Sequence, residues 1–240
     1  MKDYTYQIDN DTPEEKKRFI RAMFDAIVPT YDLLNHVLSL GTDRRWRKNI
    51  FAHIRPVAGR DALDIACGTG DLSRLLTKKG ARVVSLDFSL PMLQRGRHKK
   101  AISGAAVAGD AGALPLADQS VNTAAIAFGI RNIPDIDTFL AEAGRVLRPG
   151  GELAILELVR PESRLTGFFY TLYLNRLLPF IGGLVSGRKT AYQYLARTIE
   201  TFIDPADLAD LLRRHGFVRT AVFRQWPGVA AIIVAAKEEK

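Results

Sequence analysis

Residues 61–71 read Asp61-Ala62-Leu63-Asp64-Ile65-Ala66-Cys67-Gly68-Thr69-Gly70-Asp71, and this stretch decides the fold. Its first part is a short apolar run that suits a buried strand, and its second part is a glycine-rich turn. The residues beyond it carry Leu72, Leu75 and Leu76 at helical spacing. Strand, glycine turn and helix in that order open a βα unit. The alternation continues downstream. RVVSLD (82–87) predicts a second strand with a helix near 89–99 behind it. AAVAGD (105–110), VNTAAIAF (121–128) and GELAILEL (151–158) predict three more, with a helix over about 136–147 before the last. Short strands alternating with helices imply a parallel sheet covered on both faces. After a helix near 205–214, ended by Gly216, two strand-like runs (217–224 and 229–236) are joined through Trp226-Pro227-Gly228. The expected fold is α/β, a Rossmann-like sheet that is mostly parallel and ends in an antiparallel pair.

Upstream, Thr12-Pro13-Glu14-Glu15 carries a capping residue, a proline suited to the first helical position and a glutamate that completes a capping box. Phe19, Ile20, Met23, Phe24 and Ile27 then make one apolar face, and Val28-Pro29 stops the helix. A polar connection and a second helical stretch, about 43–53, are expected before the first strand. Residues 165–185, LTGFFYTLYLNRLLPFIGGLV, are the most apolar part of the chain. Asn175, Arg176, Pro179 and Gly182-Gly183 interrupt them, which argues against a transmembrane helix. Two readings remain for this segment, a core helix or an apolar lid over a greasy ligand.

Composition sets outer bounds. With 240 residues, 47% apolar and 25% charged, the chain can bury a sizeable core and is too apolar for a disordered tail. One cysteine excludes a disulfide scaffold and a cysteine-rich zinc module, and His36, His53, His98 and His215 lack ligand spacing, so no metal is expected. The first residues contain no apolar signal segment, so a cytoplasmic location is expected. The net charge of +8 lies outside the middle of the chain: 61–159 carries equal numbers of acidic and basic residues, whereas 160–240 carries 12 basic and 7 acidic. A basic run interleaved with aromatics is missing, so nucleic acid is not expected as a partner. The oligomeric state is left open.

The glycine loop lets a ligand approach the backbone, and the helix behind it offers free N–H donors to an anion. A dinucleotide loop would carry a third glycine where Ser73 stands, and no phosphate-loop lysine follows. An adenosyl ligand ending in a carboxylate needs only the first part of this cradle. Asp87 ends the second strand 19 positions after Gly68 and suits a pair of ribose hydroxyls, Asp110 ends the third strand and suits an adenine amino group, and Met92 suits an adenine face. Cys67 reads as a small buried residue.

The pattern over about 61–160 resembles the class I S-adenosylmethionine-dependent methyltransferases. Two segments narrow the resemblance. Tyr31-Asp32-Leu33-Leu34-Asn35-His36-Val37-Leu38-Ser39, ending at Trp46, and Arg145-Val146-Leu147-Arg148-Pro149-Gly150-Gly151, running to Glu157, are similar to the two signatures of the ubiquinone/menaquinone-biosynthesis C-methyltransferases. Phe128-Gly129-Ile130-Arg131-Asn132, Ser186-Gly187 and Ala191-Tyr192-Gln193-Tyr194-Leu195 fit the same family. The chain departs from it at Leu34, Asp43 and Ala127, where Met, His and Ser are usual, and at the ending from Gly228.

The resemblance implies S-adenosylmethionine as cofactor and methyl transfer to a ring carbon of a prenylated quinol precursor, most simply demethylmenaquinol. It implies Arg131, Asn132 and Tyr31 as catalytic residues, and Thr69, Asp87, Asp110 and Ala111, together with Gly68, Gly70 and Met92, around the cofactor. Asp32, His36 or water would take the proton. The organisation expected is one domain: a helical extension (1–60), a cofactor-binding core (61–160), an apolar substrate lid (161–200) and a C-terminal helix with the strand pair (201–240). Residues 165–185 and the N-terminal helix would wall a groove for the prenyl tail, with basic groups favouring anionic lipid at the inner membrane face. Methylation of another acceptor, or a non-methylating adenosyl- or dinucleotide-binding role, are the alternatives.

Overall fold

The computed structural model describes residues 12–39, 41–177 and 189–239. Seven strands form one sheet: β1 (Asp61–Ile65), β2 (Arg82–Asp87), β3 (Ala105–Ala108), β4 (Val121–Ala127), β5 (Leu147–Leu158), β6 (Phe217–Gln225) and β7 (Ala230–Lys237). Their spatial order is β3-β2-β1-β4-β5-β7-β6; the first five pair in parallel, and β7 runs antiparallel to both β5 and β6. The expected sheet and its closing antiparallel pair are both present. β5 begins earlier than the apolar run suggests, because Leu147 pairs with Val121 across a register irregularity.

Alternation along the strands sorts side chains to two faces. Leu63, Ile65, Ile126 and Ile155 pack with Phe139 and Leu140 of α6 (Ile136–Val146) and with Leu208 and Leu212 of α9 (Pro205–Arg214). On the other face Ala62, Ala125, Ala154 and Leu156 meet Trp46 and Ile50, together with Leu72 and Leu76 of α4 (Asp71–Lys78). All twelve of the largest fully buried side chains are apolar, and each Leu, Ile or Phe contributes about 1.5–3 kcal/mol by leaving water.

The N-terminal helices fill the space above the strand ends. α1 (Pro13–Ile27) starts with the expected capping box: the Thr12 hydroxyl accepts from the Glu15 N–H at 3.3 Å, and Glu15 Oε2 accepts from the Thr12 N–H at 3.0 Å. The stretch expected as a polar connection instead contains α2 (Tyr31–Leu38), ahead of α3 (Thr42–Asn49). Eight residues are too few to declare a helical period, and tertiary contacts hold this helix. Tyr31 lies edge-to-face with Phe24 of α1, while the His36 Nδ1–H and the Ser39 hydroxyl both donate to Asp43 Oδ1.

α5 (Leu90–His98) is the helix expected near 89–99, α8 (Lys189–Thr201) is a helix the sequence reading did not place, and α7 (Arg164–Leu172) covers the start of the apolar segment. α7 has no buried residue, with Leu165 70%, Phe168 66% and Phe169 60% exposed. A single π-type turn follows at Tyr173–Leu177, in which Leu174 is buried. The core-helix reading does not hold for α7, whose Leu165, Phe168 and Leu172 are exposed, whereas Tyr170 packs on the core and Leu174, just past the helix, is buried. The remainder, 178–185, and Ser186-Gly187 lie outside the described residues. No helix among the described residues is long and apolar enough to cross a membrane.

Candidate active site

Between β1 and β4 the strand order reverses, and the chains leaving these two strands diverge to open a crevice beyond their C-terminal ends. The backbone is unusual there: Ala66 and Phe128, each just past its strand, have φ of +49° and +63°. Left-handed backbone is an outlier for a bulky residue such as Phe128 and is held only by the surrounding structure. Gly129 follows, and a Cβ on it would stand 2.8 Å from that of Ala66, so the two strand ends meet only because the side chain is missing.

One cavity of about 430 Å³ opens at this point. Gly68, Asp87, Met92, Asp110 and Ala111 line it, and α1 closes it with Lys17, Arg21 and Phe24. Two residues expected at the cofactor stand off it. Thr69 is 2% exposed and directs its hydroxyl away, donating to Asp32 Oδ1 at 2.5 Å and accepting from Lys99 Nζ at 2.7 Å. Gly70, with φ +83°, packs so tightly on Ile102 that a Cβ would sit 2.4 Å from it.

Asp87 is buried, with Oδ2 accepting from the Gly68 N–H at 2.7 Å and Oδ1 from the Ser89 N–H at 2.9 Å. Burial pushes its pKa up to about 6, against the pull of those two N–H groups. Each oxygen keeps further lone-pair capacity for hydroxyls of a ligand. Asp110 accepts from the Gly112 N–H at 2.9 Å and pairs with Lys17 Nζ at 2.7 Å. Burial works to raise its pKa, yet Lys17 and that N–H hold it below the usual carboxylate range. Apolar lining (Leu86, Met92, Ala108) with an acidic group beyond each of two strands and cations along α1 suits a zwitterionic nucleoside. The cavity size also falls in the range of small-molecule sites.

A second cavity, about 410 Å³, adjoins the first. Phe24, Tyr31, Phe128 and Asn132 belong to both. Arg131 lines the second alone, and the walls there are aromatic: Trp46, Phe169, Tyr170, Tyr173 and Trp226. Arg131 Nη1 is ion-paired to Glu157, whose carboxylate is fully buried at the end of β5. The Arg131 side chain is 8% exposed, and its Nε is buried with no hydrogen-bond partner. Burial raises the Glu157 pKa while Arg131 opposes it. Tyr194 donates to Asn132 Oδ1 at 3.2 Å. Burial also raises the Tyr31 hydroxyl, with Arg47 and Arg131 acting against it.

Asp43 and Arg47, both buried, complete the wall and pair at 2.5 Å, with the Arg47 guanidinium 4.9 Å from the centre of the Phe128 ring. Asp32 and His36, the expected proton acceptors, line neither cavity. Asp32 is held by Thr69 and Lys99, and His36 Nδ1 lies 3.1 Å from Asp43.

Sequence reasoning missed the contributions of Lys17, Arg47, Glu157 and Lys99. A glutamate inside the apolar run GELAILEL was the available signal for Glu157, because a buried acid needs a partner. For Lys99 there was none.

Residues 11–237 match the model of the ubiE/COQ5 methyltransferase family. A demethylmenaquinone methyltransferase of Thermus thermophilus is 43% identical over 218 residues, 88% of this chain and 98% of the relative. A ubiquinone/menaquinone biosynthesis C-methyltransferase of Acidiphilium cryptum is 40% identical over 224 residues, covering 91% and 90% of the two chains. Among solved structures, a SAM-dependent methyltransferase from Thermotoga maritima superposes with a TM-score of 0.67 at 20% identity, covering 90% of this chain and 99% of its own. That likeness concerns the fold.

Proposed function

The chain belongs to the ubiE/COQ5 methyltransferase family, and from that premise we propose that it methylates a ring carbon of a prenylated quinol, demethylmenaquinol, using S-adenosylmethionine. The observation that carries this reading is the pair of adjoining cavities. One has carboxylates and cations around an apolar floor, the other is walled by aromatics, and Tyr31 and Asn132 are common to both. Gly68, Asp87, Met92, Asp110 and Ala111 would hold the cofactor. Thr69 and Gly70 would act on it through the shape of their loop.

When bound, S-adenosylmethionine supplies an activated methyl group. The protein then has to bring the acceptor carbon close and make it nucleophilic. A ring carbon becomes nucleophilic when its neighbouring hydroxyl ionises. With a phenolic pKa near 10, holding that group ionised at pH 7 costs about 4 kcal/mol. A nearby cation offsets about 1–3 pKa units of this. In our reading the Arg131 guanidinium, part of the wall of the aromatic cavity, faces the ring oxygen as the nearby cation, while Glu157 fixes its orientation. Guanidinium stays protonated, so Arg131 is a donor and not a base. Asn132, held by Tyr194, orients the same oxygen. The ring proton released as the methyl bond forms has an ionised acceptor in Asp43, which Arg47 keeps charged against the effect of burial.

The exposed Leu165, Phe168 and Leu172 share α7 with Phe169 and Tyr170 of the aromatic cavity, and the exposed Arg160, Arg164 and Arg176 flank them in sequence. We assign to this face a peripheral contact with an anionic bilayer at the cytoplasmic side, along which a prenyl tail reaches the site. The chain works as one domain in this reading, with its N-terminal helices and α7 as walls. The test is incubation with S-adenosylmethionine and demethylated prenyl naphthoquinol or benzoquinol in parallel, followed by mass spectrometry. Gain of one CH2 on the naphthoquinol carbon framework supports the proposal. No gain on either quinol, with the cofactor bound, refutes it.

A further inference from the structure

Lys99 caps the C-terminal end of α5, and its ammonium has three N–H donors. All three are spent in one cluster: Nζ donates to Asp32 Oδ2 at 2.9 Å, to Thr69 Oγ1 at 2.7 Å and to Asp71 Oδ1 at 2.9 Å. Thr69 Oγ1 donates in turn to Asp32 Oδ1, which closes the ring. The four residues come from α2, the glycine loop, the first position of α4 and the end of α5.

Among the described hydrogen bonds, Asp32 is the residue through which α2 reaches the nucleotide half of the molecule. Its neighbour in sequence is Tyr31, part of the wall common to both cavities. The Tyr31 ring lies on the same loop, 3.6 Å from where a Cβ on Gly68 would stand. The anchoring carboxylate and the partition ring are thus consecutive, and one ammonium sets where both sit relative to Gly68. Without it, Asp32 would keep only the Thr69 hydroxyl and Asp71 would lose its ion pair. Both side chains are a quarter to a third exposed, so water can hydrate them and the fold should survive.

We propose that Lys99 is a positioning residue for methyl transfer, holding Tyr31 and α2 in register with the cofactor loop. The inference rests on the reaction proposed above and deepens it. A misplacement of about 1 Å far from the chemistry costs on the order of 10²-fold in rate. Lys99→Met is therefore expected to lower kcat by about 10- to 100-fold while KM for cofactor and quinol stays within about threefold. Lys99→Arg should restore most of the loss. Asp32→Asn combined with Lys99→Met should be no slower than the slower single variant, because the two residues act as one unit.

A second measurement does not depend on activity. In hydrogen exchange with S-adenosylhomocysteine bound, amides of Tyr31–Leu38 should exchange about tenfold faster in Lys99→Met than in wild type, with β1 unchanged. Where Lys99→Met is unstable, Lys99→Gln serves for both measurements. A folded variant with kcat within twofold of wild type, multiplicative losses in the double variant, or unchanged exchange in α2 each overturns the proposal. If wild type itself fails to methylate the quinol, the reaction falls, and the exchange experiment still judges Lys99.

Discussion

Acidification from about pH 7 to pH 5 should weaken binding of S-adenosylhomocysteine roughly tenfold, through Asp87. This carboxyl is buried and its pKa is pushed up to about 6, so it is ionised at neutral pH and takes a proton just below it. Protonation replaces a charged double acceptor with a neutral group. Each pH unit below 6 should then cost about tenfold in affinity, about 1.4 kcal/mol, with a plateau above. The other groups at the cavity do not compete in that window. A ligand α-carboxyl titrates near 3.3–3.7. Asp110 is kept below the usual range by Lys17 and the Gly112 N–H in spite of its burial. Asp64 does titrate there, but it does not line the cavity, so an Asp64→Asn background should keep the same slope. Asp87→Asn should abolish the slope and weaken binding at pH 7 by about 10²- to 10⁴-fold, the loss of two charge-assisted bonds at about 1.5–3 kcal/mol each. Isothermal titration calorimetry across the range provides the readout. A dissociation constant that stays flat from pH 7 to 5, or an equal slope in Asp87→Asn, refutes the reasoning.

Four further outcomes are expected. Burial raises the Asp64 pKa to about 7 against the two hydrogen bonds from Ser73, so the folded state binds a proton that the unfolded chain releases near pH 4. The stability this gives is complete below that value and is lost as pH rises through 7, about 4 kcal/mol in all. Asp64→Asn should accordingly raise the urea midpoint most at pH 8, less at pH 5 and hardly at all below pH 4, and an equal change at pH 8 and pH 4 would contradict the cause given. Glu157→Gln leaves a buried guanidinium unpaired and should destabilise the fold by about 3–5 kcal/mol, whereas Arg131→Met with Glu157→Met should regain most of that stability without regaining activity. Arg131→Lys should keep part of the rate and Arg131→Ala should recover as pH is raised; an Ala variant that binds quinol normally yet gains nothing from alkali would remove the phenolate role. Finally, Leu165→Asp with Phe168→Asp should reduce flotation with anionic liposomes about tenfold while cofactor affinity is unchanged, and undiminished flotation would move the lipid contact elsewhere.

The sheet was legible because each strand is a short apolar run and the glycine turn at Gly68 marks a strand-to-helix change. Asp87 and Asp110 were legible for the same reason: they stand at strand ends, where the crevice has to be. α2 escaped because its stability lies in Phe24, Asp43 and the glycine loop rather than in its own eight residues. Thr69 shows the limit of reading a loop residue by residue. Its position in the cradle was right, but the direction of its hydroxyl depends on Asp32 and Lys99, each about 30 or more positions away. The outward face of α7 was equally out of reach, since an apolar run looks alike whether it packs on a core or points away from it.

Phe24, Tyr31, Phe128 and Asn132 each border both cavities, so the partition is one side chain thick. Inhibitor chemistry inherits that thinness. An adenosyl fragment and a lipophilic ring joined by a tether of only a few atoms would occupy both compartments at once, with the tether crossing beside Tyr31. Enlarging any of these four residues should raise resistance to such a bisubstrate compound and to neither half alone.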